Sequence, residues 1–277
     1  MKYLKLLRPH HWIKNFLLFA APFFGGVMFR VDNLLMVFPV FIAFSLCASS
    51  VYIFNDLIDI ERDRLHPRKR LRPIASGSVS KSVAMIFVSV LLILSLSLSI
   101  SISKPFFGFA LVYIIIQVFY TLYLKQIPII DIFSIAAGFV IRVLAGGAAF
   151  NVEVSPWLFL TMFMISVVLA TGKRLSETEL LEDNASLHRK SLKHYSANTL
   201  KEILLIASAS SLITYALYTV EQSQGLVYTV PVVTFGLFRY ILISQKGFGD
   251  ATEALIKDRW LTLTVIIWLI TVGVVRY

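Results

Sequence analysis

The chain has 277 residues, 57% of them hydrophobic and 15% charged, with a mean hydropathy of +0.78. That excess of apolar surface is more than a packed core can hide, which excludes an ordinary soluble domain and requires lipid to cover the remainder. The net charge of +10 lies in short segments between apolar runs, with no nucleic-acid-reading module around it, so it points to acidic headgroups and phosphates and away from nucleic acid.

The apolar runs are continuous and near the length of about 20 residues that crosses a bilayer, so they predict helices, not strands of alternating polarity. Nine spans are expected, at 14–29, 34–54, 83–103, 106–124, 129–149, 157–172, 200–220, 226–243 and 260–275. The fold class is therefore all-α, a polytopic helical bundle read as one integral membrane domain over 1–277. The first run follows Lys2, Lys5, Arg8 and Lys14, as a secretory signal would, but the repeated runs downstream favour a retained helix. Pro22, Gly25 and Gly26 in that run permit a kink or close packing. The single cysteine, Cys47, excludes an intrachain disulfide and is given a packing role.

Connections after even-numbered spans are long and basic, carrying for example Arg62, Arg64, Arg68, Lys125, Arg189, Lys190, Lys193 and Lys257. The opposite connections carry little beyond Arg30 and Lys104. The excess of positive charge on one side places the N-terminus and the long connections in the cytosol.

Three of those cytosolic ends carry unusual polar chemistry. After span two, Asn55, Asp59 and Asp63 follow i, i+4, i+8 spacing and Asp56 precedes Asp59 by three, so a continuing helix would present them on one broad face. Neighbouring carboxylates repel unless cations intervene, and hard oxygen ligands suit Mg²⁺ shared with substrate phosphates. The alternative is a solvated helix end paired with Arg62 and Arg64. The run His66-Pro67-Arg68-Lys69-Arg70-Leu71-Arg72 follows directly. It serves either as a membrane-surface stop signal or as a phosphate holder.

Span four ends near Tyr120 and Lys125, and span five opens near Asp131 with Arg142 about 16 Å further along a helix. An arginine inside a membrane requires a polar partner or a wet cavity, so Arg142 is either a functional residue or half of a structural ion pair. Span six ends in Gly172-Lys173-Arg174-Leu175-Ser176-Glu177. The histidines, including His188 and His194, show no zinc spacing with cysteine, and no Walker loop or nucleophile elbow occurs, which disfavours zinc enzymes, ATPases and hydrolases.

The nine-span plan with Asn55-Asp56-x-x-Asp59-x-x-x-Asp63 resembles the UbiA-type intramembrane prenyltransferases. A closer likeness, over nearly the whole chain, is to the polyprenyl-phosphate phosphoribosyltransferases. It is carried by Arg8-Pro9-x-x-Trp12-x-Lys14-Asn15, His66-Pro67-x-Lys69-Arg70-x-Arg72-Pro73-Ile74, Gly172-Lys173-Arg174-x-x-Glu177 and Gly249-Asp250-Ala251-Thr252-Glu253. The broader superfamily has two aspartates four apart in its second acidic motif; here Asp131 is followed at that distance by Ile135, which suits an altered donor.

The resemblance implies Mg²⁺-dependent transfer of phosphoribose from phosphoribosyl diphosphate to a polyprenyl phosphate, in a plasma membrane and for cell-envelope glycan synthesis. Asp56, Asp59 and Asp63, with Asn55 in support, would hold the metal on the leaving diphosphate. Lys14, Lys69, Arg70 and Arg72 would hold phosphates. Tyr120, Lys125, Asp131 and Arg142 would line a deeper site, and Lys173 and Arg174 would hold the lipid phosphate. The nearest alternative is transfer of a prenyl group from its diphosphate to an aromatic or other small acceptor; a transporter is a more distant one.

Overall fold

A computed structural model describes residues 2–67, 69–181 and 195–277, with the side chains of Leu180, Leu181 and Gln224 also outside the description. Arg68, His188, Arg189, Lys190, Lys193 and His194, named above, lie outside the described residues. The described residues form helices and no strand, and eight helices among them are long and apolar enough to cross a membrane. The protein is a multi-pass membrane protein.

In chain order, α1 (Lys2–Leu7) leads into a 3₁₀ helix (Pro9–Phe19) and α2 (Ala20–Phe24). Then come α3 (Val31–Ile58), α4 (Ile60–Leu65), α5 (Lys81–Ile102), α6 (Lys104–Leu122), α7 (Ile130–Phe150) and α8 (Pro156–Leu181). The chain ends with α9 (Ala197–Gln222), α10 (Val230–Ser244), α11 (Ala251–Lys257) and α12 (Arg259–Arg276). Helix starts are set by side-chain caps: Ser80, Ser103, Ser196 and Asp258 accept the backbone N–H of Val83, Phe106, Thr199 and Leu261.

The Cα positions gather into two compact units, Met1–Lys125 with Ile141–Glu153, and Gln126–Val140 with Val154–Tyr277. In the first, α3 runs along α5, and Phe44, Phe106 and Tyr113 fill the interior. In the second, α8 runs along α9, and Leu175, Leu200, Leu204 and Tyr240 are buried. Both units expose large aliphatic side chains, Ile93 and Ile115 in one and Ile206 and Ile270 in the other, as helices facing lipid require.

The expected first span, 14–29, is not a continuous membrane helix. Its residues form the later part of the 3₁₀ helix, then the five-residue α2, then a turn in which Gly26 takes φ 70°. The reason lies in its neighbour. Trp12 Nε1 donates to Ser49 Oγ at 3.0 Å and Asn15 Nδ2 to Ser45 Oγ at 2.9 Å. Three residues of 3₁₀ helix rise about 6 Å, as do four residues of α-helix, so this geometry alone keeps both donors in step with both serines. Leu18, one further step along, presses its backbone on Gly146, where a Cβ would stand 1.7 Å from the Leu18 carbonyl oxygen.

Candidate active site

The carboxylates at the end of α3 do not share one uninterrupted helix. Asp59 leaves helical geometry (φ −94°, ψ 11°) between α3 and α4, although the Asp59 N–H still reaches Asn55 O and the Asp63 N–H reaches Asp59 O. The break divides the acids into two ion-paired groups. Asp56 and Asp63 are buried, and Arg72 Nη1 bridges them at 3.0 and 2.6 Å. Arg8 Nη2 donates to both oxygens of Asp56. Asp59 is half-buried and accepts from Lys125 Nζ at 2.7 and 2.6 Å, with Arg62 at 3.6 Å. Asn55 Oδ1 faces the same ammonium at 3.4 Å and Thr121 Oγ1 at 3.3 Å.

Charge compensation is incomplete at Asp63. Burial pushes its carboxyl above the ordinary 3.8, a tendency that the Arg72 charge and hydrogen bond oppose and that the Asp56 charge reinforces. Of the other residues expected here, Lys69 is half-buried and its charge reaches Asp63. Arg70 is exposed, and its side chain makes no ion pair among the described residues. Tyr120 is half-buried in the last turn of α6, and Lys14 half-buried in the 3₁₀ helix.

Arg142 is buried in the first unit, where Nε donates to Asn15 Oδ1 at 2.8 Å and Nη2 to Tyr113 Oη at 3.0 Å. Its guanidinium also stands over the Tyr113 and Phe44 rings at 4.8 and 5.3 Å from their centroids. These neighbours hold the arginine by hydrogen bonds and cation–π attraction within a buried core.

The second unit has its own buried cluster. Asp131 and Arg174 are both 0% exposed, and Arg174 Nε donates to Asp131 Oδ2 at 2.7 Å. Arg174 Nη1 reaches Glu177 Oε2 at 2.5 Å, and Tyr195 Oη donates to Asp131 Oδ1 at 2.8 Å. Tyr195 Oη also accepts the N–H of Ile129, a β-branched residue held at φ 66°. That conformation costs about 1–2 kcal/mol, so the tyrosine secures both the carboxylate and a strained turn in front of it. Burial drives the Tyr195 hydroxyl well above the ordinary phenol range.

Lys173, half-buried, pairs with Asp250 at 3.3 Å. Asp250 in turn caps α11, accepting the N–H of Thr252. The backbone comes close here: a Cβ on Gly249 would stand 1.9 Å from Gly172 O, so that contact needs glycine at 249, while a Cβ on Gly172 would meet the Tyr240 hydroxyl at 2.5 Å.

The sequence matches the UbiA prenyltransferase family over residues 16–273. The chain belongs to that family. Among its UbiA relatives, decaprenyl-phosphate phosphoribosyltransferase of Mycolicibacterium smegmatis is 33% identical, covering 99% of this chain and 92% of that protein. The enzyme of the same name from Corynebacterium glutamicum is 34% identical over 99% of this chain and 86% of its own length. The fold is that of a UbiA homologue from Archaeoglobus fulgidus solved with DMAPP and Mg²⁺, with a TM-score of 0.78 at 22% identity over 99% of this chain and 97% of that one.

Within the UbiA frame, Asp56, Asp59, Asp63, Asn55, Arg72 and Lys125 come together in one cluster, and Asp131 with Arg174 in another. Arg8 and Tyr195 are the residues that inspection of single motifs leaves out. Arg8 stands in the Arg-Pro motif at the N-terminus, 48 positions from its partner, and Tyr195 stands 64 positions from Asp131. Motif membership was a signal for the arginine; nothing local marked the tyrosine.

Proposed function

We propose that this UbiA protein transfers 5-phosphoribose from phosphoribosyl diphosphate to a polyprenyl phosphate. The observation that carries this reading is likeness over 99% of the chain to enzymes bearing that activity in name, at 33% and 34% identity. In the reaction an oxygen of the lipid phosphate bonds to ribose C1 while the bond from C1 to the diphosphate oxygen breaks, and diphosphate leaves with the electron pair. The attacking phosphate is already anionic near neutral pH, so no protein base is needed.

A divalent cation, read here as Mg²⁺, fits the donor chemistry of Asp56, Asp59 and Asp63 with Asn55. Each oxygen pair already faces a positive group: Lys125 Nζ lies against Asp59 and Asn55, and Arg72 against Asp56 and Asp63. Among the described residues no three metal-ligating groups form a closed set, which suits a cation that takes one or two carboxylates and completes its shell with substrate oxygens and water. When bound, Mg²⁺ neutralises charge on the leaving diphosphate.

The chain's own part is to bind and orient. Arg72 bridges Asp56 and Asp63, Lys125 holds Asp59, and both offer positive charge to phosphate, with Lys69, Arg70 and Lys14 as further phosphate contacts. Tyr120 and Arg142 line or brace the deeper site, and Lys173 offers a cation toward the lipid phosphate. Arg174 has a different emphasis from the one expected. Fully buried on Asp131 and Glu177, it positions α8 against the start of α7, and Lys173 beside it is the more accessible cation. We read the whole chain as one transferase domain in the plasma membrane, with its basic connections and this site in the cytosol.

The test supplies purified protein and Mg²⁺ with labelled phosphoribosyl diphosphate and polyprenyl phosphate, then with labelled prenyl diphosphate and aromatic acids. Label entering the lipid in the first mixture is the expected result. Label transferred only in the second makes the protein a prenyltransferase and overturns the proposal.

A further inference from the structure

We propose that an open cavity of about 540 Å³, lined by Lys5, Arg8, His10, His11 and Arg72, is a cradle that grips a phosphate monoester directly, without a metal. The inference deepens the transferase reading and rests on it for the identity of the ester. No carboxylate lines the cavity, so its wall lacks the charged oxygen ligands that Mg²⁺ prefers. The acids that fix the two arginines stand behind them, at Asp56 and Asp63.

The arginines are held in an unusual way. Arg8 uses only Nη2 on Asp56, and Arg72 uses only Nη1 on Asp56 and Asp63. Among the described residues, Nε and the second terminal nitrogen of each have no acceptor. Two planar forks are thus anchored at one tine, with further donors still to be satisfied at a wall that solvent reaches. Anchored guanidinium groups lose little freedom when they take a phosphate by paired hydrogen bonds, and a phosphate monoester offers three acceptor oxygens to such forks.

Two more features belong to the same wall. Arg8 has φ 53° and ψ 56°, a left-handed backbone that is strained for a residue other than glycine. Its guanidinium is over the Tyr52 ring at 5.7 Å as well as on Asp56, so the strain accompanies a fixed aim of the side chain. Lys5, exposed and in no ion pair among the described residues, adds positive charge beyond what the two aspartates balance. At the rim, Leu4 and Leu71 are exposed, so cationic donors and an apolar edge meet in one cavity. That pairing suits a phosphate on an organic tail better than free inorganic phosphate. Both substrates of the proposed reaction carry such a group, the sugar donor at its 5-position and the lipid acceptor at its head.

The experiment uses the full chain in lipid nanodiscs with EDTA, titrated with ribose 5-phosphate and with farnesyl phosphate, and with ribose and farnesol as controls. Binding is followed by ³¹P NMR line broadening for the esters and by calorimetry for all four. The expected result is metal-independent binding of at least one ester and of neither control, weakened about tenfold by Arg8→Lys and about threefold by Lys5→Ala. Lys5→Ala leaves the Asp56 pairs intact, so it keeps the test decisive if Arg8→Lys fails to fold. Dependence seen with ribose 5-phosphate alone assigns the cavity to the donor, with farnesyl phosphate alone to the acceptor, and with both to the shared phosphate.

Absence of binding by both esters, or affinities that Lys5→Ala leaves unchanged, overturns the cradle. The same preparations are assayed for phosphoribosyl transfer, which separates the two ideas. Ester binding with no transfer defeats the transferase reading alone, whereas transfer without ester binding defeats the cradle alone.

Discussion

The two acidic clusters of this protein use the same side chains to opposite ends. In the first unit, Asp56, Asp59 and Asp63 are matched by Arg8, Arg72 and Lys125, yet the arginines keep donors in reserve and Asp59 remains half-buried. In the second, Asp131 and Arg174 are sealed from solvent, and Tyr195 and Glu177 take up further hydrogen-bonding capacity. A charge pair with spare donors and access can receive a ligand. A sealed pair repays its desolvation only by holding helices together. The lesson is that an intramembrane charge announces a constraint, and its unfilled valence decides whether that constraint is binding or architecture.

The comparison is most exposed to test at Arg174. Replacing it by leucine leaves Asp131 buried and unpaired, which should destabilise the protein by about 3–5 kcal/mol. Adding Asp131→Asn to that variant should recover a substantial part. Thermal unfolding in detergent, with recovered monodisperse protein as a second readout, checks both. A single variant as stable as the parent would dissolve the distinction between the clusters.

At Asp59 the opposite pattern is expected. Asp59→Asn keeps shape and removes one charge from a site with solvent access, so stability should change little while phosphoribosyl transfer falls by about a hundredfold or more, on the order of 3 kcal/mol of transition-state stabilisation. Mg²⁺-dependent turnover near the parent's level would remove Asp59 from the metal-diphosphate role. A large loss of melting temperature would instead place it with Asp131.

Gly249→Ala tests the architecture of the second cluster from the backbone side. The added methyl would meet Gly172 O, backbone that cannot rotate away, so a loss of about 1–3 kcal/mol is expected. The shift should also loosen the Lys173–Asp250 pair at 3.3 Å, raising the KM for the lipid substrate more than it lowers kcat.

Much of this was open to reading in the sequence because lipid imposes one simple demand. The runs 83–103, 129–149 and 260–275 lie almost on Lys81–Ile102, Ile130–Phe150 and Arg259–Arg276, since any helix that crosses a bilayer must be apolar for about 20 residues. The same demand misled at 14–29, where hydrophobicity is high but the conformation is set by Trp12 and Asn15 matching Ser49 and Ser45. The acids of the first cluster were legible as neighbours in sequence. Their partners were not, because Arg8, Lys125 and Tyr195 reach carboxylates 48 to 66 positions away and a pairing of that kind is decided by tertiary packing. Arg174 reads as a holder of the lipid phosphate at a span's end, and among the described residues it is the largest fully buried side chain.

The smallest predicted effect concerns the sign of a pH dependence, where two aspartates outside the spans should respond in opposite directions. Burial raises the Asp63 carboxyl above 3.8, so the folded state binds that proton more readily than the unfolded chain. The stability difference between parent and Asp63→Asn should therefore move in the parent's favour as pH falls from neutral through the raised value, and level off below 3.8. Asp258 is held below 3.8, chiefly by hydrogen bonds from Arg239, so its contribution is present above 3.8 and lost as pH falls further. Because that pair lies near the surface, the melting shift for Asp258→Asn should be on the order of 1 °C. Melting curves of the parent and both variants across the acid range give the two slopes directly. Slopes of the same sign would mean that Arg72 outweighs burial at Asp63, leaving the first cluster as fully compensated as the second and removing the reserve of binding capacity that sets them apart.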